Sequence, residues 1–203
     1  MLEGYGPLGG SLNPVGPVPV MMETLAGIYL VPPLNRARES ACRAACMNNT
    51  RQLMLALRRY AMDHNDNYPD SFGDLLKKGY ITTTKVFFCP SSGHSIPADF
   101  PTDFKDADLA ELRKIDELSD YLMVPYATAS FPPSFVVVYE KDNHRGEGRN
   151  LGFNDGHVDW QTGEELRETI TRQISEAKKM GWPQEYVDKM VSSLEVILEQ
   201  TNP

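Results

Sequence analysis

The chain has 203 residues, 41% of them hydrophobic and 24% charged, enough to bury a core in one domain with appendages. Its net charge of −8 argues against nucleic acid as a partner, because phosphate binding needs a basic surface. The three cysteines are too few for a disulfide scaffold and lack the paired spacing of a zinc site.

Residues 1–20 carry five glycines and four prolines and read as flexible. The most apolar stretch, 15–34, is interrupted by Pro17, Pro19, Glu23, Pro32 and Pro33, so no membrane span is expected there, and no signal peptide is expected because no basic residue precedes Arg36. Residues 1–33 are therefore predicted to be a leader or a degenerate anchor segment. From 34 to 65 the pattern is helical. Cys42, Cys46, Leu53, Leu57, Tyr60 and His64 trace one stripe, and Arg51, Arg58 and Arg59 read as the solvated side. Asn65 to Pro69 stop this helix.

Ser71 with Asp74 resembles a capping box, opening a short helix that Gly79 ends. Residues 85–89 read as a short extended piece and 108–118 as another helix. Strands are predicted at 121–126 and 135–141, and a hairpin pairs 151–153 with 157–160 around Asn154-Asp155-Gly156, a tight-turn signal. Thr162 with Glu165 opens the first of two closing helices, 163–180 and 183–200. The predicted class is α+β: a long N-terminal helix on a small antiparallel meander over 34–162, with a C-terminal helical extension over 163–203.

Several segments together carry a resemblance. Leu34-Asn35-Arg36-Ala37-Arg38-Glu39 runs into Cys46-Met47-Asn48-Asn49-Thr50-Arg51-Gln52-Leu53 and on to Tyr60 through Pro69; then come Phe88-Cys89-Pro90, and His144 followed by Asp155-Gly156. In this order they resemble bacterial pseudopilins and prepilin-type proteins with a C-terminal His…Asp-Gly signature. Ten residues separate His144 from Asp155, one more than in the family pattern, and the family's cleavage motif and apolar helix half are missing.

The resemblance implies a pilin-like fold and a structural role in type II secretion or type IV pilus-like assembly. It also implies a periplasmic or cell-surface location and partners that are further copies or other pilin-like subunits. Membrane contact is expected only through residues before Leu34. The alternative is a soluble extracytoplasmic binding module that has lost its anchor. Resemblance to an exported family also favours a Cys46–Cys89 disulfide, the other reading being two buried free thiols.

Asp142, His144, Asn154, Asp155 and His157 gather ligand atoms near one hairpin without calcium spacing, the alternative being a transition-metal site of His144, His157 and a carboxylate. Local hydrogen bonding is the expectation: Asp155 shapes the turn, and His144 pairs with Glu140 or a backbone carbonyl. No metal, cofactor or small-molecule substrate is expected. The hydrolase, metalloprotease and nucleotide-binding motifs are missing. A thiol dyad of Cys89 with His94 or His144 would still need a cleft and an orienting group, so the chain reads as no enzyme.

Overall fold

The computed structural model describes residues 21–141, 144 and 146–200, with side chains from Leu34 onward. The chain divides into two compact units, Met1–Arg38 and Glu39–Pro203. The boundary falls inside the first helix, α1 (Met21–Asp63). The expected break at residue 33 is thus corrected for residues 21–33, which are helical. In a helix interior a proline removes one backbone donor and its ring crowds the preceding turn, so local preference opposes this course. Residues 1–20 and the side chains up to Pro33 lie outside the described residues. Among the described residues no helix is long and apolar enough to cross a membrane.

Within the second unit, α1 buries one stripe. Cys46, Thr50, Leu53, Met54, Leu57 and Ala61 are all at most 1% exposed, while Arg51, Arg58 and Arg59 face solvent. Tyr60 and His64, the expected end of the stripe, are half-buried and stack on each other at 3.8 Å. The helix stops at Asn65 and Asp66, which adopt φ of 53° and 62°. Short asparagine and aspartate side chains tolerate that region best.

Next come α2 (Phe72–Lys77), a 3-10 turn (Thr84–Phe87), α3 (Leu109–Arg113) and α4 (Ile115–Leu118). Ser71 caps α2 by accepting from Gly73 N–H. The expected extended piece at 85–89 is instead this 3-10 turn, because Thr83 accepts from Lys85 N–H and starts a helical bend. The single helix expected over 108–118 is two, broken at Lys114.

Four strands, β1 (Tyr121–Met123), β2 (Val136–Glu140), β3 (Arg149–Phe153) and β4 (Val158–Gln161), form an antiparallel meander in the order β1-β2-β3-β4. The chain closes with α5 (Gly163–Ala177) and α6 (Gln184–Gln200). Thr162 stands at the N-cap of α5 but its side chain makes no capping bond, contrary to the expected capping box. The α+β architecture of a long N-terminal helix, a four-stranded antiparallel sheet and C-terminal helices is present.

All of β2 is buried, so both faces of the sheet are covered. On one face α1 sits close over β3. A Cβ on Gly152 would fall 2.7 Å from Met54 Cγ and 3.2 Å from Thr50 Cγ2, so the missing side chain admits the helix. On the other face, the Tyr139 hydroxyl meets Ser193 of α6, and Gln173 of α5 bonds both the N–H and the C=O of Val136.

Candidate functional site

Strand register places the site. Tyr121 pairs with Glu140, Tyr139 with Leu151, and Asn150 with Trp160. Opposed residues share a face of the sheet, so Tyr121, Glu140, Asn150 and Trp160 form one row across the side that α1 covers. Most of this row is polar, and Tyr121, Glu140 and Asn150 are 0% exposed. Burial on that scale requires partners.

Those partners come from three other segments. Cys46 projects from the buried stripe of α1, and the Tyr121 hydroxyl donates to its carbonyl at 3.4 Å. Cys89 follows the 3-10 turn, and its position is set by Asp120, which is 1% exposed. One Asp120 oxygen accepts from Cys89 N–H at 2.7 Å and from Ser92 Oγ at 2.6 Å; the other meets His94 Nδ1 at 2.6 Å. His144 lies just past β2, four residues beyond Glu140.

The four groups converge. Cys46 and Cys89, the expected disulfide pair, are brought together with their sulfurs 2.6 Å apart and no bond between them. His144 Nε2 lies 3.7 Å from Cys89 Sγ and 3.0 Å from Glu140 Oε1, while Nδ1 meets Glu39 Oε1 at 2.5 Å. The second Glu140 oxygen accepts from Asn150 Nδ2 at 2.7 Å and from Asn150 N–H at 3.4 Å. Trp160 stands edge-on to the imidazole at 5.1 Å, and the Arg43 guanidinium covers Trp160 at 4.8 Å. The pocket for the histidine is therefore closed by an aromatic ring under a cation.

The electrostatics follow from these contacts. The hydrogen bond from Cys46 to Cys89 raises the Cys46 thiol and lowers Cys89 to about 6. Burial opposes a charged His144, but its hydrogen bonds to Cys89, Glu140 and Glu39 outweigh it and push its pKa up to about 11. Burial likewise opposes an ionised Glu140, and the bonds from His144 and Asn150 hold it below the usual carboxylate value.

The resemblance signature divides between two places. His144 is 1% exposed in this cluster. Asp155 and Gly156 instead form the β3–β4 turn, where exposed Asp155 accepts from His157 N–H at 3.0 Å and meets His157 Nδ1 at 2.5 Å. Gly156 takes φ +96°, and Arg58 Nη1 donates to Asn154 O at 3.3 Å, tying the turn to α1. Of the ligand atoms expected near one hairpin, those of Asp155 and His157 meet at the turn while His144 stands apart, and Asp142 lies outside the described residues. The expected pairing of His144 with Glu140 is present. Cys42 is half-buried and stands apart from the other two thiols.

Sequence reasoning missed Glu39, Asn150 and Trp160. The last two carry a weak signal, polar and aromatic residues paired in adjacent strands. Cys89 is 2% exposed, with the His144 imidazole beside its sulfur. No protein-family model, no curated protein and no solved structure matches the chain.

Proposed function

We propose that this chain is a non-enzymatic structural subunit with a pilin-like fold, acting outside the cytoplasm in a secretion or pilus-like apparatus. The observation that carries the reading is the two-sided character of α1. One side is buried on the antiparallel meander, while the outward side keeps Leu55 52% and Met62 82% exposed. These two residues lie seven apart, about two helical turns, and so share one stripe. Solvent-facing apolar residues on a long helix suit contact with neighbouring subunits, the use that pilin-like proteins make of this helix. The buried cluster adds no accessible nucleophile to set against this.

The test is fractionation of the native producer with N-terminal sequencing of the recovered chain, and light scattering of the purified protein across concentration. A membrane-associated or assembling product is expected, with Leu55→Glu and Met62→Glu together lowering self-association and leaving the circular dichroism unchanged. A monomer free in the extracytoplasmic fraction would instead support a binding module without an anchor. A cytoplasmic product would overturn both.

A further inference from the structure

We propose that Cys46, Cys89, Glu140 and His144 together hold one zinc ion that staples α1 to the sheet. One ligand atom from each lies within 4.8 Å of the others, and all four residues are buried. Two sulfurs, one imidazole nitrogen and one carboxylate oxygen make a complete tetrahedral set, and sulfur donors disfavour calcium and magnesium.

Two of the separations match that polyhedron, and the sulfur pair has to open to reach it. With zinc–ligand bonds of about 2.0–2.3 Å, tetrahedral edges are about 3.8 Å between sulfurs and roughly 3.3–3.6 Å for the mixed pairs. The 3.7 Å from His144 Nε2 to Cys89 Sγ and the 3.0 Å from Nε2 to Glu140 Oε1 are close to this. The sulfurs, now 2.6 Å apart, would separate by about 1 Å.

The surroundings are those of a metal centre. Glu39 on His144 Nδ1 orients the ring and leaves Nε2 to face inward, the carboxylate–histidine arrangement that supports zinc ligands. Asn150 occupies the outer Glu140 oxygen, so the inner one is left for the ion. Ser91 N–H donates to Cys89 Sγ at 3.3 Å, a bond that favours a thiolate. The Asn150 Oδ1 acceptor is buried without a protein partner among the described residues.

Binding displaces the Cys46 thiol proton and the His144 Nε2 proton and takes Cys89 as its thiolate. It leaves one excess negative charge on the cluster. Four protein donors leave no open coordination position, so the ion is structural and not catalytic. The staple does not depend on whether the chain assembles with other subunits.

The full chain purified under reductant and without chelator should carry about one equivalent of zinc by elemental analysis. Exchange for Co²⁺ should give visible ligand-field bands and near-ultraviolet thiolate-to-cobalt charge transfer. Glu39→Gln, a half-buried position that risks little for folding, should weaken metal affinity by about 10–100-fold. Glu140→Gln and His144→Gln should lose tight binding, and Cys42→Ser should keep it. If these core variants fail to fold, the cobalt spectrum of the unaltered chain together with Glu39→Gln decides. A folded, reduced chain that takes up neither zinc nor cobalt overturns the site. So does a metal-free chain with a Cys46–Cys89 bridge and a single reactive thiol from Cys42.

Discussion

The docking of α1 on β3 through Gly152 can be measured directly. Gly152→Ala places a methyl carbon 2.7 Å from Met54 Cγ and 2.9 Å from its Sδ, well inside contact distance, and neither neighbour is at the solvent edge. Overpacking of this kind costs about 1–3 kcal/mol. Met54→Ala alone removes a side chain that is 1% exposed, at about 2–5 kcal/mol. In the double variant the new methyl enters the space that Met54 vacated, so the two costs should not add. A coupling of about 0.5–3 kcal/mol in the favourable direction is expected. Urea titrations followed by far-ultraviolet circular dichroism, with the midpoints compared at constant m, give all four corners of the cycle. Additive costs would mean that the two residues do not touch, and the placement of the helix over β3 would be wrong.

Three further outcomes test neighbouring parts of the structure. Leu57→Ala, at a residue 0% exposed, should cost about 2–5 kcal/mol. Arg59→Ala on the opposite side should stay within about 0.5 kcal/mol in the same titrations. Gly156→Val should destabilise by about 1–3 kcal/mol, because a β-branched residue is strained at φ +96°; thermal melts check this. Burial raises the pKa of Asp116 above its ordinary 3.8, so the folded state binds the proton more tightly and stability falls as pH rises through the window above 3.8. Asp116→Asn keeps an acceptor for Phe72 N–H, which now donates at 2.9 Å. It should therefore gain stability relative to the parent chain at pH above that window but not below it, as read from urea midpoints across pH.

Much of the fold was legible because its signals are local. The α1 stripe repeats at helical spacing, and Asn154-Asp155-Gly156 names its own turn. The course through Pro32-Pro33 was not legible, since two prolines in succession normally argue for a break. Nor was the bend at Thr84–Phe87, where the Thr83 side chain outweighs the extended preference of Val86 and Phe87. The buried cluster was legible only in fragments. His144 and Glu140 are close in sequence, but Cys46 and Cys89 are 43 residues apart and Cys89 and His144 are 55 apart. Spacing rules for metal sites detect ligands on one turn or knuckle, and here each ligand comes from a different element. The convergence exists only once the sheet register sets Glu140 opposite α1. Gly152 was likewise silent, because one glycine in a strand does not say what approaches it.

The clamp of Gln173 on Val136 bears on where the molecule can be cut. Its side chain, 2% exposed, accepts from Val136 N–H at 2.7 Å and donates to Val136 C=O at 3.0 Å, much as an adjacent strand would. Removing the helices beyond residue 162 would strip both bonds and uncover Tyr139, now only 3% exposed. An uncovered apolar sheet face with unsatisfied backbone groups is a template for association. The C-terminal helices thus belong to the same cooperative unit as the sheet, and a chain truncated at residue 162 should precipitate instead of folding as a smaller domain.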